Sequence, residues 1–536
     1  MSSIFMLIAI LVPLLSGVLV PVIKFRDRRS RNIFIETAVI ITSVIVMLLL
    51  TNPPAGNFVF AGFTKSLTLS LRIDGMSQVF AGLVCFMWPL ASLYAFEYMT
   101  KEDKEPIFFM FYTMTYGITL GIAFSEDIFT MYFFYELLTL VTVPLILHTL
   151  TREAVLACRS YLYYSLGGAA FAFIGLAFII SYSMDIDFRY GGVLSRTRVA
   201  GNENVLLLIY VLAFMGFGVK AAIFPVGGWL PKASVAPTPV TALLHAVAVV
   251  NAGAFANIRL TYYCFGTEFL KGTWARTVVM CVAIMTILYS STRAVKETHI
   301  KRRLAWSTSS NLSYILFGVT IMTPLGFLGA LSHFVIHAFM KICSFFCAGA
   351  IIHQTTQETQ RGEGFSSGVA FVHELDGLAA KMPGVFFIFT ISAMALMGVP
   401  GLAGFISKWN LATAAVEAGD ACCYAGIGAL LVSALLTAIY MASMIMRGYF
   451  PGKDAGLDKG ERCVKEGSDG DSDTQDLQAD SVKRITDEVS GGVRECRDPN
   501  WMMMLPLGIF AFVIVILGLF SGPLVSFLRT VAEGRI

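Results

Sequence analysis

The sequence predicts an all-α polytopic membrane protein with about fourteen transmembrane helices. Of its 536 residues, 56% are hydrophobic and only 14% are charged, whereas about a quarter of the residues of a soluble domain carry a charge. Apolar stretches of roughly 20 residues, the length that crosses a bilayer as a helix, recur from one end of the chain to the other. Between them lie short loops that hold most of the basic residues.

The fourteen predicted spans follow from these apolar stretches. They begin near Ile4, Ile33, Met76, Phe108, Asp127, Ala154, Asn204, Val240, Thr277, Leu304, Leu325, Pro383, Cys422 and Trp501. The first stretch, Leu7 to Val22, precedes the basic segment KFRDRRSR. A secretory signal peptide has the opposite order, with its charges first. We therefore interpret the first stretch as a membrane span.

The basic loops predict the orientation. The loops 24–31 and 293–303 each carry five basic residues and one acidic residue, and such loops face the cytoplasm. With fourteen spans both loops fall on the same side, and both termini then lie outside the cytoplasm. The slightly acidic loop 101–105 falls on the cytoplasmic side as well, but acidic residues count little in this rule. The expected location is the inner, or cytoplasmic, membrane of the cell.

Five regions are expected along the chain. Residues 1–107 hold three spans and an exterior hairpin at 57–73, whose apolar and polar residues alternate. Residues 108–265 and 275–450 hold five spans each, and 500–536 hold the last span. Segment 185–204 is predicted to be a polar exterior loop. Segment 451–499, with 8 basic and 13 acidic residues, is too polar to bury a core and is predicted to be a disordered cytoplasmic loop.

Several functions are disfavoured by the sequence. A net charge of +3, with the basic residues in short loops, does not indicate a nucleic-acid partner. The ten cysteines lack CxxC spacing, and we expect plain thiols. Gly216, Gly218 and Ala221 spell a GxGxxA pattern, but no strand-turn-helix unit surrounds it. We also find no phosphate-binding loop, haem motif or iron-sulfur cysteine run, and expect no cofactor and no metal.

Three ionisable residues of the first half lie in or beside apolar spans: Glu136, Lys220 and His245. A charge at mid-membrane costs about 2.5 to 3.5 kcal/mol on insertion scales, so each is a candidate ion site. The alternatives are a helix-packing hydrogen bond for Glu136, a snorkelling ammonium for Lys220 and a satisfied core histidine for His245. Pro225, which breaks the helix after Lys220, favours a cavity lined by freed backbone groups.

In the second half, His333, His337 and Lys341 recur at i, i+4 and i+8. This spacing places them on one helix face over about 12 Å, a geometry suited to a proton relay. A zinc half-site is the alternative for the histidine pair, but Lys341 would repel a cation. Lys408 follows a Pro-Gly break at 400–401, with snorkelling again as the alternative.

Polar residues in the tenth predicted span have two interpretations. Ser307, Ser309, Ser310, Asn311 and Ser313 lie in an otherwise apolar stretch. They could line a water-filled path, or they could join helices by hydrogen bonds.

The charges also indicate an internal repeat: each five-span block has an ionisable group near a proline break. Because five is odd, two such blocks have opposite orientation in the membrane, as in the inverted repeats of transporters.

Four segments of the chain resemble one known family. They are FPVGGWLPKASVAPTPVTALLHAVAVVNAG, KRRLAWSTSSNLSYILFG, SHFVIHAFMKICSFFCAGA and GVPGLAGFISKW. The sequence is identified as a member of the antiporter-like subunits, which include proton-pumping membrane subunits of respiratory complex I, large subunits of Mrp sodium/proton antiporters and subunits of membrane-bound hydrogenases. The resemblance implies fourteen helices, two inverted five-helix half-channels, and breaks in helices seven and twelve.

The resemblance also assigns roles to residues. Glu136 matches the glutamate that pairs with the lysine at Lys220, and His245 lies in the eighth-helix motif. His333, His337 and Lys341 match the central hydrophilic axis, and Lys408 matches the residue of the twelfth helix, a lysine or a glutamate. Three features depart from the family: Asn251 where many relatives have a lysine, Val226 and Gly227 where a polar or histidine-containing pair is common, and no long lateral helix after the last span.

The predicted function is proton translocation within a redox-driven membrane complex similar to complex I or to a membrane-bound hydrogenase. The expected partners are other membrane subunits, the lipid bilayer and protons. A sodium/proton antiporter subunit of Mrp type is the alternative, with sodium as a second ion. A third possibility is a scaffold whose charges only join helices.

Overall fold

The computed structural model describes residues 2–64, 67–356, 368–450 and 497–535. These residues are mostly helical, as predicted. Residues 451–496, nearly all of the segment 451–499 that is predicted to be a disordered loop, lie outside the described residues. The largest hydrophobic core runs through the whole bundle and contains residues from every long helix.

The helices are numbered here so that α1 to α14 correspond to the fourteen predicted spans, with the two broken helices divided into a and b; α15 follows the last span. They are α1 (Ile4–Leu19), α2 (Arg28–Thr51), α3 (Gly75–Tyr98), α4 (Glu105–Phe124), α5 (Ile128–Ile146), α6 (Arg152–Tyr182), α7a (Glu203–Gly218), α7b (Trp229–Ala233), α8 (Thr238–Phe265), α9 (Trp274–Lys296), α10 (Ile300–Ile321), α11 (Pro324–Thr355), α12a (Pro383–Met397), α12b (Ala403–Ala418), α13 (Ala421–Tyr449), α14 (Trp501–Leu519) and α15 (Gly522–Ala532).

The shorter elements lie between these helices. They are the strands β1 (Phe58–Gly62) and β2 (Thr68–Leu71), the helical turns Arg196–Val199, Thr267–Leu270 and Leu378–Lys381, and the 3-10 turns Met99–Lys101 and Val372–Leu375. Two π-helical segments, Leu243–Val247 and Arg259–Phe265, interrupt α8.

Ten of the helices are long and apolar enough to cross a membrane: α2, α3, α4, α5, α6, α8, α9, α11, α13 and α14. Three shorter helices, α1, α7a and α12a, are also apolar. The prediction of an all-α membrane protein is confirmed, and the chain is an integral membrane protein. The count of fourteen spans goes beyond these ten helices and is taken up as a proposal below.

Both predicted helix breaks are present. The α-helical hydrogen bonding of α7a ends at Gly218, and α7b begins only at Trp229, with Pro225 between them. The second break separates α12a from α12b at Gly398 and Gly401, whose φ angles are +93° and +88°. Such left-handed angles favour glycine, so the Gly and Pro residues of the sequence determine where these two helices stop.

Side-chain caps set the start of several helices next to the candidate site. The Asp127 carboxylate accepts a 2.7 Å hydrogen bond from the backbone nitrogen of Thr130 at the start of α5. The Thr323 hydroxyl accepts one from the nitrogen of Gly326 at the start of α11, at 3.0 Å. These bonds satisfy backbone donors that a helix leaves free in its first turn. They fix where Glu136 and the α11 stripe fall along their helices.

Contacts at one end of the bundle join segments that the fourteen-span count places on the cytoplasmic side. Arg28 and Arg31 bind Glu105, and Lys301 Nζ donates to the carbonyl of Ala236 at 2.9 Å. At the other end, Arg276 binds Asp420 at 2.7 Å, and the Tyr190 hydroxyl donates to the carbonyl of Ala532 at 2.8 Å. Each contact joins helix ends or loops that this count puts on the same side.

The β1–β2 hairpin occupies the segment where a hairpin was predicted. Its strands pair antiparallel, from Phe58 opposite Leu71 to Gly62 opposite Thr68. The Ser70 hydroxyl donates to Asp127 at 2.8 Å, which ties the hairpin to the start of α5. Beside it, residues Asp127 and Asp187 pair as an isolated β-bridge. Together with Glu126 and Asp185 they line a cavity of 480 Å³.

Replacing Asp187 with asparagine is expected to make stability less dependent on pH. Burial raises the pKa of Asp187 from 3.8 to about 6, and the neighbouring Glu126 and Asp185 carboxylates contribute to this rise. The folded protein therefore binds this proton more tightly than the unfolded chain does. The contribution of Asp187 to stability is most favourable below pH 4 and declines as the pH rises through about 6.

Thermal unfolding of the purified protein between pH 4 and 8 measures this dependence. Asp187→Asn should raise the unfolding temperature at pH 8 and change it little at pH 4. Asp185→Asn removes the same charge from a more exposed position of the same loop and should have the smaller effect. An unfolding temperature that Asp187→Asn lowers at pH 8 would contradict this interpretation.

Candidate functional site

All seven predicted site residues lie in the described part of the chain. Five of them, Lys220, His245, His333, His337 and Lys341, have at most 1% of their surface exposed. Glu136 and Lys408 are half-buried. Completely buried lysines and histidines are rare unless they have partners or a function, so the bonds of each one decide between structural and functional interpretations.

Lys220 lies directly after α7a, next to Glu136 of α5. Its ammonium donates a hydrogen bond to the backbone carbonyl of Tyr135 and lies 3.3 Å from the centroid of the Tyr135 ring. Glu136 follows Tyr135 in sequence, yet its Oε1 atom is buried and has no hydrogen-bond partner. The two charges are neighbours that interact electrostatically without a direct bond. The predicted pairing of Glu136 with Lys220 stays a prediction.

Helix α8 packs closely against this break. A Cβ atom added at Gly253 would overlap the backbone nitrogen of Ala221 and would lie 3.0 Å from the Cβ of Lys220. Real Cβ atoms do not approach backbone atoms so closely, and glycine is the residue that permits such contact. Gly253 therefore brings α8, which carries His245, against the segment that carries Lys220.

His245 lies in the first π-helical segment of α8, and both of its ring nitrogens face backbone carbonyls. Nδ1 is 2.6 Å from the oxygen of Thr241, and Nε2 is 3.0 Å from the oxygen of Leu230. A neutral imidazole has one N–H and can donate to only one of these oxygens, whereas the imidazolium donates to both. The site can therefore hold His245 in either protonation state, with one hydrogen bond gained on protonation.

Asn251, one of the departures from the family pattern, lies further along the same helix. It is completely buried. Its side-chain nitrogen donates to the carbonyl of Ala246 at 2.9 Å, while its Oδ1 atom has no partner among the described residues. Asn251 thus offers an acceptor to this part of the bundle but adds no charge, which leaves His245 as the ionisable group of α8 closest to it in sequence.

The three ionisable residues of α11 form the stripe that their spacing predicts. His333 Nδ1 lies 2.9 Å from the hydroxyl of Ser407, and the His333 and His337 rings are 6.1 Å apart. His333 Nε2 and both ring nitrogens of His337 are buried without hydrogen-bond partners. Buried polar atoms normally have partners, in protein or ordered water. This stripe therefore needs water to be satisfied.

Lys341, at the end of the stripe, is held by α10. Its ammonium donates to the Ser307 hydroxyl at 2.5 Å and to the carbonyl of Leu304 at 3.3 Å. Ser307 also accepts a 2.6 Å hydrogen bond from the hydroxyl of Tyr440 on α13. Both α10 and α13 therefore contribute to the surroundings of Lys341.

The polar residues of α10 divide between the two interpretations given to them. Ser309 bonds Ser290 at 2.8 Å, and Ser310 bonds Ser291 at 2.7 Å, so these serines join α9 to α10. Asn311 Oδ1 and Ser313 Oγ, by contrast, are buried without partners. Thus α10 carries both kinds of group: serines that join it to α9 by hydrogen bonds, and polar atoms that need water as a partner.

Tyr314 connects this polar region to the second break. Its hydroxyl donates to Ser433 at 2.7 Å, its ring centroid lies 5.2 Å from that of His333, and Lys408 Nζ lies 5.7 Å from the same ring. Ser407, Ser433 and Tyr440 were not among the predicted site residues. Their only sequence signal is a single polar group within an apolar span, which does not reveal its partner.

Lys408 bonds the broken helix that precedes it. Its ammonium donates to the carbonyls of Leu396 and Met397, at 2.6 and 3.2 Å, which belong to the last turn of α12a. The carbonyls of a helix C-terminus have no partners within the helix and attract cations. Lys408 is therefore directed into the break, whereas a snorkelling lysine would extend its ammonium to the interface.

A second buried charge, Arg259, was missed by the sequence analysis. It lies in the second π segment of α8 and forms a bidentate ion pair with Asp74, at 2.5 and 2.7 Å. The rings of Phe188, Phe255 and Tyr263 surround its guanidinium at 4.6 to 5.1 Å. Because the Asp74 carboxylate and the three aromatic rings hold the guanidinium in place, this pair is better suited to joining α3 and α8 than to carrying an ion.

Within the described residues, no group of three or more His, Cys, Asp or Glu side chains is arranged to hold a metal ion.

A helical membrane bundle with a buried row of lysines and histidines and two broken helices is typical of ion-transporting membrane proteins. Residues 125–437 match the family described as NADH:quinone oxidoreductase/Mrp antiporter, TM, and this chain belongs to that family. The resemblance found in its sequence motifs is therefore confirmed.

Curated relatives come from two kinds of complex. The chain is 29% identical over 472 residues to NADH-quinone oxidoreductase subunit N of Desulforudis audaxviator, covering 87% of this chain and 85% of that protein. It is 25% identical over 545 residues to the A1 subunit of a Na(+)/H(+) antiporter from Staphylococcus aureus, covering 97% of this chain and 61% of that one. It is 32% identical over 355 residues to a probable K(+)/H(+) antiporter protein of Rhizobium meliloti, covering 66% and 33%. The chain thus spans less than two thirds of either antiporter protein.

Two solved structures share the fold over nearly their whole length. A chain of the membrane-bound sulfane sulfur reductase, an archaeal respiratory membrane complex, superposes with a TM-score of 0.79 at 20% identity, covering 99% of this chain and 98% of that one. A chain of the Mrp complex from Dietzia sp. superposes with a TM-score of 0.77 at 22% identity, covering 99% and 97%. At these identities the comparison shows the fold alone.

Proposed function

We propose that this protein is a proton-translocating subunit of a redox-driven membrane complex. The family contains a complex I subunit that matches this chain over most of both lengths. The described residues that form the candidate site are lysines, histidines and a glutamate, which carry protons and not electrons. The driving reaction would therefore take place in partner subunits, and the proposed role of this chain is to move the ion.

We further propose fourteen spans, α1 to α14, in the inner membrane of the cell, with both termini outside the cytoplasm. The three shorter apolar helices, the 22-residue helix α10 and the contacts at the two ends of the bundle support this count. In this arrangement residues 108–265 and 275–450 form two inverted half-channels. Residues 1–107 and 500–536 flank them, and the segment 451–499 connects α13 to α14 on the cytoplasmic side.

One observation carries the proposal: among the described residues, unsatisfied polar atoms accompany the buried charges on α5, α8, α10 and α11. They belong to Glu136, Asn251, Asn311, Ser313, His333 and His337, while others, such as those of Trp88 and Tyr112, lie on α3 and α4. A polar atom buried without a partner costs about 1 to 3 kcal/mol, and a bundle that served only as a scaffold would gain by removing such atoms. Water that satisfies them would form a hydrated row, along which protons can move between the lysines and histidines.

The proposed path follows this row through the molecule. A proton enters near Lys220, passes His245, continues along His333, His337 and Lys341, and leaves past Lys408. Glu136 controls the charge of Lys220, since a carboxylate within about 4 to 6 Å favours the protonated ammonium. When Glu136 and Lys220 move apart, this effect weakens and Lys220 can release its proton.

A second candidate function is that of a subunit of a Mrp-type sodium/proton antiporter. The match to the Staphylococcus aureus antiporter subunit over 97% of this chain favours it, and so does the fold shared with the Mrp complex. The two functions use the same buried row and differ in what drives it. In the first a redox reaction in another subunit drives transport, and in the second the gradient of one ion drives the other.

Purification of the intact complex from its native membrane tests the proposal. Co-purifying subunits with iron-sulfur or nickel centres, together with acidification changes in vesicles that depend on the electron donor, are the expected result. A complex without redox centres that exchanges sodium for protons would establish the second function instead. If neither proton nor sodium moves across vesicles containing an intact complex, both are wrong and the scaffold interpretation is correct.

A further inference from the structure

A second group of ionisable side chains lies where four helices meet, at the end of the bundle predicted to face the cytoplasm. These helices are the end of α3, the start of α8, the start of α10 and the end of α11. The ionisable residues there are Tyr98, Glu102, Lys301 and His353, none of which belongs to the path proposed above. Of these, Tyr98, Lys301 and His353 are buried, with 5%, 8% and 5% of their surface exposed.

Lys301 lies close to His245 through a short series of hydrogen bonds. Its ammonium donates to the carbonyl of Ala236 at 2.9 Å, and the hydroxyl of Thr241 donates to the same oxygen at 2.9 Å. The carbonyl oxygen of Thr241 in turn lies 2.6 Å from Nδ1 of His245. Because Lys301 Nζ and Thr241 Oγ1 share one acceptor, a single water molecule is enough to bridge them.

Glu102 lies at the surface and interacts electrostatically with Lys301. It lies in the loop after α3 and lines a cavity of 330 Å³ at the edge of the bundle. Burial raises the pKa of its carboxyl, the charge of Lys301 opposes that effect, and Asp103 adds to it. Glu102 is thus half-buried and reachable from solvent through the cavity. It interacts electrostatically with Lys301, which bonds the segment next to His245.

The remaining groups at this junction also indicate water. Both ring nitrogens of His353 are buried without partners, and its ring lies 5.6 Å from that of Tyr98. The Tyr98 hydroxyl accepts a 3.1 Å hydrogen bond from Thr238 at the start of α8. Arg302 faces Lys301, and Lys101 faces His353. Unsatisfied imidazole nitrogens so near the surface require water molecules.

We propose that Glu102 and Lys301 form an inlet through which His245 receives protons from the cytoplasmic side. This inference rests on the function proposed above. A proton from water binds the Glu102 carboxylate and passes to the neutral amine of Lys301, which regenerates the carboxylate. The Lys301 ammonium then releases one proton, through water beside Thr241, to the free Nδ1 of a neutral His245 whose hydrogen is on Nε2. Each step moves one proton and no electron.

Lys301 also has a purely structural alternative role, as a donor that holds the carbonyl of Ala236. Two substitutions separate the roles. Arginine keeps the positive charge and the hydrogen-bond donors, but it does not lose its proton in proteins. Glutamine keeps a donor and removes the charge. A donor that only holds the carbonyl tolerates both, a fixed positive charge tolerates arginine, and a proton carrier tolerates neither.

The test measures proton transport by the intact complex in vesicles with Lys301→Arg, Lys301→Gln and Glu102→Gln. We expect both Lys301 variants to slow transport about 100-fold, as loss of a proton-transfer group does. Glu102→Gln should slow it most at high pH, where water supplies few protons. Lys296→Arg, at an exposed position of α9, is the matched control and should transport at the normal rate.

Normal transport by Lys301→Arg would overturn the inlet. If this variant does not assemble, Glu102→Gln decides, because its side chain holds no other helix in place: an unchanged rate and pH profile would overturn the proposal. Failure of the inlet can be distinguished from failure of the proposed function. If Lys341→Met stops transport while the inlet variants do not, the path stands and the inlet is wrong.

Discussion

Replacing Lys341 with methionine is expected to reduce proton transport by about 100-fold, because it removes the proton carrier at the end of the α11 stripe. The ammonium of Lys341 donates to Ser307 at 2.5 Å and is completely buried. Transport by the intact complex in vesicles, measured with a pH-sensitive dye, gives the effect directly.

Folding should survive this substitution. Methionine fills nearly the same volume, and replacing a buried charge by an apolar group of similar size is often neutral or stabilising. The level of assembled complex is therefore expected to stay normal. Lys296→Met makes the same chemical change at an exposed position and should leave transport intact. Normal transport by Lys341→Met would show that the α11 stripe only joins helices.

Replacing Asp74 with asparagine is expected to destabilise the protein by about 3 to 5 kcal/mol, the cost of leaving a buried charge without its partner. Arg259 has 1% of its surface exposed, and its bidentate bonds to Asp74 are the ones that compensate its charge. An asparagine at position 74 can still accept the hydrogen bond from the backbone nitrogen of Ser77 that caps α3. The loss of stability therefore reports mainly on the ion pair.

A double-mutant cycle isolates this contribution. Arg259→Met alone leaves an uncompensated carboxylate at Asp74, and the double variant Asp74→Asn, Arg259→Met leaves neither charge. The double variant should therefore be more stable than Asp74→Asn alone. Thermal unfolding of the purified protein at constant pH measures all four proteins. Additive losses would mean that the two residues do not stabilise each other in the folded state.

The features that could be predicted from the sequence are those with a local physical signal. Pro225 and the Pro-Gly pair at 400–401 disfavour helical hydrogen bonding locally, and both predicted breaks are present. The α11 stripe follows from helical periodicity alone, since residues at i, i+4 and i+8 share a face. The apolar stretches likewise predicted the α-helical membrane fold, because lipid leaves the backbone few other ways to satisfy its hydrogen bonds.

The partners of the site residues could not be predicted in this way. Ser407 beside His333 and Tyr440 beside Ser307 come from helices distant in sequence, and a serine or tyrosine in a span carries no sign of what it contacts. The predicted pairing of Glu136 with Lys220 stays a prediction, and the hydrogen bond from the ammonium to the carbonyl of Tyr135 has no signal in the sequence.

Arg259 and Lys301 were passed over for a different reason. Lys301 was counted only among the basic residues of a cytoplasmic loop, although the helices around it leave just 8% of its surface exposed. Arg259 lies near the end of a span, where a long basic side chain usually reaches the interface. Its partner Asp74 is 185 residues away in sequence, and no local pattern indicates that this charge is compensated inside the bundle.

The central claim is that water occupies the row of buried charges and carries protons along it. A cryo-electron microscopy map of the intact complex, at a resolution that shows ordered water, tests it most directly. We predict water within hydrogen-bond distance of both ring nitrogens of His337 and of the side-chain oxygens of Asn311 and Ser313. A dry interior, with these atoms bonded to protein groups or packed against apolar side chains, would contradict this mechanism.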